Sequence, residues 1–162
     1  RVALAAPLAG AVVLAAVIFT HREKTTGGEL LTAVTLSLVA LPIALAARAP
    51  STVALTCVLV FALCFIVATV SVRAVILWAR GRAGIGTRVT AGVVAAGSVA
   101  ALAGLARAGV TAPAGPWAAI PVCTLGLLLV LVAPSPRHLR TIGWSLVAAT
   151  ALTAIVLIAA LR

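Results

Sequence analysis

Apolar residues occur along this chain in six long runs of 17 to 20 residues, and short polar segments separate the runs. A helix of about 20 residues crosses the hydrocarbon core of a bilayer, which is about 30 Å thick. No run alternates polar and apolar positions as the strands of a membrane barrel do. The pattern predicts an all-α membrane protein, a bundle of about six transmembrane helices. The predicted spans are residues 2–19, 30–47, 53–72, 90–106, 117–133 and 142–161.

The composition supports this class, since 64% of the residues are hydrophobic and 9% are charged. Soluble domains are about 45–50% apolar because they need a polar shell around the core. We therefore expect residues 1–162 to form a single transmembrane helical domain. The chain begins at Arg1 and contains no Met, from which we expect it to be the C-terminal part of a larger protein.

Twelve basic residues and two acidic ones give a net charge of +10. In a soluble protein this excess would suggest a nucleic-acid partner. Here the basic residues lie at the ends of apolar runs, and aromatic residues make up only 4% of the chain. The pattern is typical of contacts with lipid headgroups. We predict the lipid bilayer as partner and no nucleic acid.

The basic residues are distributed unevenly between the two sides of the predicted bundle. Residues 20–29, 78–89 and 134–141 together hold seven of them, and Arg73 lies just inside the neighbouring span. The other side holds four. Because cytoplasmic loops of membrane proteins are enriched in Lys and Arg, we predict that these three segments, the basic loops, face the cytoplasm.

Candidates for binding an anion or a lipid lie in or beside the basic loops. If the third helix continues to Arg80, then Arg73 and Arg80 share one of its faces, since they are seven residues apart. Alternatively, the span ends near Val72 and Arg73 reaches the headgroups. The full set of candidate site residues is Arg22, Glu23, Lys24, Glu29, Arg73, Arg80, Arg82, Arg88, Arg137 and Arg140.

The chain offers little for catalysis or metal binding. It contains no Asp, and its three cysteines, Cys57, Cys64 and Cys123, lie inside apolar runs, where we interpret them as packing residues. The glycine-rich residues 81–88 lack the ending of a nucleotide-binding loop. We predict no metal site and no cofactor, and no residue is assigned a catalytic role.

Small residues and prolines mark the helix interiors. Gly92, Gly97 and Gly104 predict close packing of the fourth span, because small side chains let helices approach each other in lipid. Pro42 and Pro121 fall in the second and fifth spans, and each removes a backbone donor. Broken spans at corresponding positions of two halves are typical of transporters, which keeps a transporter or transporter subunit as an alternative.

Three short motifs, in order, resemble the YwiC-like family of bacterial membrane proteins. Arg22-Glu23-Lys24 precedes Glu29 and an apolar helix; residues 71–76 read Ser-Val-Arg-Ala-Val-Ile; residues 136–143 read Pro-Arg-His-Leu-Arg-Thr-Ile-Gly before the last helix. The resemblance runs over essentially the whole chain. This chain lacks the N-terminal His-Gly-Ala-Trp motif of the family, which agrees with the expectation that its N-terminal part is missing.

The resemblance implies an uncharacterised multi-pass protein of the bacterial inner membrane, with a basic cytoplasmic face that binds an anionic ligand, an anionic lipid or an isoprenoid. It also implies a distant similarity to UbiA-type prenyltransferases, which gives a second alternative. Under that similarity residues 80–88 take the place of a motif rich in Asp, yet they contain none. Magnesium-dependent diphosphate binding needs such carboxylates.

Overall fold

A computed structural model describes residues 4–21, 25–82 and 84–161 of the chain. These residues form seven α-helices and a short 3-10 turn at Pro136–His138, and no strand occurs among them. The predicted fold class, an all-α bundle of membrane type, is confirmed. The helices are α1 (Ala5–Phe19), α2 (Thr26–Leu38), α3 (Ala40–Ala46), α4 (Ser51–Ala79), α5 (Ile85–Arg107), α6 (Ala114–Val132) and α7 (Leu139–Leu161).

Five helical segments are long and apolar enough to cross a membrane. They correspond to the second through sixth predicted spans, with α2 and α3 together forming one segment, Thr26–Ala46. The first predicted span is represented by α1, a shorter apolar helix of 15 residues that packs against α2. Five of the six predicted spans therefore correspond to a segment long enough to cross a membrane, whereas α1, at the first predicted span, is shorter than that.

The two prolines named above have different effects. The second span is interrupted at Val39, which separates α2 from α3, three residues before Pro42. Pro42 has no N–H to donate to the carbonyl of Leu38, so the helical ladder lacks a bond next to this break. In contrast, α6 continues through Pro121 without interruption. The prediction of corresponding breaks in the two halves is correct only for the first half.

Helix α4 lies at the centre of the bundle and packs against α2, α3, α5, α6 and α7. It runs from Ser51 to Ala79, so the predicted end near Val72 was wrong by seven residues. The helix ends where Gly81 adopts a φ of 65° and the Arg82 N–H donates to the Leu77 carbonyl at 2.9 Å. This left-handed helix ending favours glycine because it has no Cβ.

Helix α5 begins at Ile85, five residues before its predicted start, so the predicted loop 78–89 shortens to residues 80–84. Helix α5 buries Ala91, Ala95, Ser98 and Leu102, which recur at helical spacing and form one face. The predicted contacts through Gly97 and Gly104 were wrong, because a Cβ at either glycine would meet no atom within 4 Å.

Helices α4 and α6 approach each other closely at Gly126. A Cβ added to Gly126 would lie 2.7 Å from Cγ1 of Val67 and 2.9 Å from Oγ of Ser71. Both distances are shorter than van der Waals contact, so this crossing requires glycine at position 126. Cys64 and Cys123 lie in the same core between these helices, in agreement with their interpretation as packing residues.

The helices alternate in direction, and this brings the start of α2, the end of α4 and the start of α7 to one end of the bundle. Two long-range contacts mark the two ends: Arg88 at the start of α5 bonds to the end of α6, and Thr56 near the start of α4 accepts from the Ala112 N–H at 2.7 Å. We call the end that carries Arg80, Arg88 and Arg137 the basic end. Most of the candidate residues lie there.

Candidate functional site

The basic end contains an ion pair between α2 and α4. Arg73 Nη1 donates to Oε2 of Glu29 at 2.9 Å, across 44 positions of sequence. The two side chains are 34% and 41% exposed, respectively. Arg73 lies six residues before the end of α4, inside the helix, which contradicts the alternative that the span stops before it. An ionised side chain within a span needs such a partner, because lipid does not solvate it.

The sequence at the start of α2 places Glu29 where Arg73 can reach it. Thr25 caps the helix, and its side chain accepts a hydrogen bond from the Gly28 N–H at 3.1 Å. Glu29 then falls in the first helical turn. The partial positive charge of a helix N-terminus stabilises an anion there. Thus the carboxylate is held by both the helix end and a guanidinium.

A cavity of about 670 Å³ opens beside this ion pair, between α2, α4 and α7. Its volume falls in the range of small-molecule sites, about 300–1,000 Å³. The polar part of its lining comprises Glu29, Thr32, Thr69, Arg73 and Arg80. The three from α4 and its end are spaced so that they share one helix face. The structure thus brings together three of the predicted site residues: Glu29, Arg73 and Arg80.

The rest of the lining is apolar: Ala68, Val72, Ile76, Leu77 and Leu146. Counting formal charges, one carboxylate and two guanidinium groups leave the cavity with a net charge of +1. Arg73 is already paired with Glu29, whereas Arg80 forms no ion pair within the described parts of the chain. The cavity therefore combines a cationic mouth with an apolar wall.

Arg88 lies outside the cavity, and its side chain binds the end of α6. Its Nε donates to the Val130 carbonyl at 2.9 Å, and a terminal nitrogen donates to the Leu131 carbonyl at 2.6 Å. The guanidinium also lies over the Trp78 ring, 4.7 Å from the centroid. These carbonyls belong to the last turn of α6, where helical partners are lacking. We call this arrangement, formed by Arg88, Trp78, Val130 and Leu131, the Arg88 clamp.

Three further candidates within the described residues do not line the cavity. Arg82, Arg137 and Arg140 are exposed at the basic end. Arg22, Glu23 and Lys24 lie outside the described residues. Among the described residues, the fold therefore separates the predicted set into three residues that line the cavity, Arg88 in its clamp, and an exposed set.

Thr32, Thr69 and Leu146 also line the cavity, but they are not among the site residues predicted from the sequence. Thr32 follows Glu29 by three positions and Thr69 precedes Arg73 by four, so helical spacing from the charged residues was an available signal. The Thr32 hydroxyl donates to the Gly28 carbonyl at 2.8 Å, which leaves its lone pairs as acceptors. No sequence signal distinguished Leu146, which reaches the cavity from the distant α7.

Within the described ranges, no group of three or more His, Cys, Asp or Glu residues lies close enough to hold a metal ion. Comparison of the chain with family models, with curated proteins and with solved structures finds no match in any of the three. The function of the protein is therefore inferred from the cavity and its charges.

Proposed function

We propose that this multi-span membrane protein binds an anionic ligand at its basic end, in the cavity between α2, α4 and α7. The observation that carries the proposal is the position of Arg73 and Arg80 on one wall of a cavity that contains a single carboxylate among its described lining. Basic pockets between transmembrane helices are typical sites for phosphate-bearing headgroups.

The ligand chemistry follows from the donors. A guanidinium presents its N–H groups in a planar fork that matches phosphate and carboxylate oxygens. The apolar wall lowers the local dielectric constant, which strengthens the attraction between the guanidinium and an anion. Thr69 adds a hydroxyl one turn below Arg73. A phosphate group, free or as a lipid headgroup, satisfies this set of donors.

The proposal is tested by binding of inorganic phosphate and of phosphatidic acid to the purified protein in neutral detergent. We expect Arg80→Gln to weaken binding of both about tenfold, because the substitution removes a charged hydrogen bond worth about 1.5 kcal/mol or more. The matched control is Arg82→Gln, which removes the same charge two residues away, outside the cavity. Its affinity should stay within about twofold of the wild type. Equal losses in the two variants would indicate attraction by surface charge and would refute the cavity site.

For orientation, we propose that the basic end faces the cytoplasm of a bacterial inner membrane, supported by the excess of basic residues there. In a cysteine-free variant, a cysteine at Arg137 should react with a membrane-impermeant maleimide only after the cells are opened. A cysteine at Ala108, which follows α5 at the opposite end, should react in intact cells. The reverse labelling pattern would invert the orientation.

The relation to the YwiC-like family is likewise a proposal, supported by the order of the three motifs, two of which contain the cavity residues Glu29 and Arg73. The prenyltransferase and transporter alternatives stay predictions, because no contact among the described residues favours either function.

A further inference from the structure

We infer that the ligand of the cavity is a long-chain lipid with a phosphate headgroup, whose acyl chain lies along α4 below the arginines. This inference rests on the proposed function, since it presupposes that the cavity binds an anion. It goes further by assigning a role to the apolar wall, which a small water-soluble anion would not need.

The apolar wall of the cavity runs along the axis of α4, as an acyl chain in a bilayer leaflet would. Along α4, Ile76, Val72 and Ala68 recur at intervals of four, so they form a stripe down one side of the helix. Ala68 lies twelve residues below Arg80, a distance of about 18 Å along the helix axis. The cavity therefore extends from the helix end, where a headgroup would lie, far into the apolar part of the span.

The second wall comes from α7. Leu146 lines the cavity opposite α4, and it also packs against the core cluster formed by Val75, Leu129 and Ile142. Helices α2 and α7 both contact α4, so the space between them is a groove with α4 as its floor. An acyl chain in this groove would gain van der Waals contacts with the apolar side chains of α4 and α7, and such packing is what drives association within lipid.

The charges select the headgroup. Arg80 lies at the C-terminal end of α4, and it has no ion-pair partner among the described residues. A phosphate monoester such as phosphatidic acid can accept from Arg80, and it can also compete with Glu29 for the donors of Arg73. A zwitterionic headgroup carries its own cation and gains less from an unpaired arginine. The expected ligand is therefore an anionic lipid, not a neutral one.

The experiment compares probes that differ in one property each, with thermal unfolding of the full chain in neutral detergent as the measurement. The probes are dioleoyl phosphatidic acid, dihexanoyl phosphatidic acid, inorganic phosphate and dioleoyl phosphatidylcholine, with the dioleoyl lipids at equal mole fraction in the micelle. We expect dioleoyl phosphatidic acid to raise the melting temperature most. The dihexanoyl form and phosphate should give smaller shifts, and phosphatidylcholine none.

Ala68→Phe tests the acyl-chain groove, because the ring would fill the end of the cavity farthest from Arg80. It should abolish the advantage of the dioleoyl over the dihexanoyl form and leave the dihexanoyl and phosphate shifts unchanged. The matched control is Ala101→Phe, the same change at an exposed position of α5, which should behave as the wild type. If Ala68→Phe does not elute as a monodisperse species, Leu146→Trp replaces it from the α7 side.

The outcomes separate the two proposals. Equal shifts by dioleoyl and dihexanoyl phosphatidic acid in the wild type, both sensitive to Arg80→Gln, would overturn the lipid inference and leave the anion site intact. An equal shift by phosphatidylcholine would overturn the headgroup assignment. If neither phosphate nor phosphatidic acid gives a shift that depends on Arg80, the anion site and the lipid inference both fail.

Discussion

Arg73 and Arg88 lie near the same end of the bundle, and both are predicted from the sequence to bind an anion or a lipid, yet their surroundings differ. Arg73 contacts the carboxylate of a neighbouring helix at the edge of an open cavity. Arg88 donates two hydrogen bonds to backbone carbonyls, and its guanidinium lies over an indole ring. One arginine can exchange its partner for a ligand, whereas the other replaces helical hydrogen bonds that α6 lacks at its end.

The difference shows that the partner of a basic residue decides its function more than its place in a basic loop. A carboxylate partner can be displaced by another anion, because both bind through the same oxygen chemistry. A backbone carbonyl cannot leave its helix. We therefore expect substitutions at Arg88 to change stability, and substitutions around Arg73 and Arg80 to change binding.

The largest expected effect on stability is that of Arg88→Ala. The variant loses two charge-assisted hydrogen bonds, one part-buried and one exposed, and the contact with Trp78. We expect the free energy of unfolding to fall by about 2 kcal/mol in total, because a hydrogen bond of a charged group contributes about 1.5–3 kcal/mol and exposure reduces this. Denaturant unfolding in detergent measures it, with the exposed Arg140→Ala as control. Phosphate affinity, corrected for the folded fraction, should not change; a tenfold loss would place Arg88 in the site after all.

A smaller effect is expected for Glu29→Gln, which should strengthen phosphate binding. Removing the carboxylate raises the cavity charge from +1 to +2 and frees Arg73, so phosphate should bind up to about fivefold more tightly. This magnitude follows from the value of a partly exposed ion pair, about 0.2–1 kcal/mol. Titration of the variant with phosphate measures the change. Weaker binding would mean that Glu29 orients Arg73 for the ligand instead of competing with it.

The smallest effect concerns the aromatic part of the Arg88 clamp. Replacing Trp78 by Leu keeps an apolar side chain and removes the cation–π contact, which contributes about 0.5–1 kcal/mol at exposed sites. A double-mutant cycle with Arg88→Ala isolates this contribution from the loss of the ring itself. A coupling energy of zero would show that the 4.7 Å approach adds nothing to stability.

Much of the fold follows from the hydrophobic runs alone, because in lipid a helix is the solution open to a single apolar segment. The ends of the helices were harder to predict. Arg73 suggested an end to the third span, but its charge is compensated by Glu29, which is remote in sequence. The helix stops instead at Gly81, where the backbone conformation needs a glycine.

The site was predictable only in part for the same reason. Helical spacing joined Arg73 to Arg80, but nothing in the sequence related them to Glu29 or to Leu146, because these lie on other helices. Conversely, the contacts of Arg88 could not be predicted, because its partners are main-chain carbonyls of α6. Every residue has a main-chain carbonyl, so the sequence does not indicate which ones bind a side chain.

The length of α4 has a consequence for how the protein fits its membrane. Its 29 residues measure about 44 Å, against a hydrocarbon core of about 30 Å. Such a mismatch is accommodated by tilting, or by a helix end that stands among the headgroups. Bilayer thickness thereby sets how far the Glu29–Arg73 pair lies from water, and water screens an ion pair. The strength of this pair is thus a property of the surrounding lipid as well as of the protein.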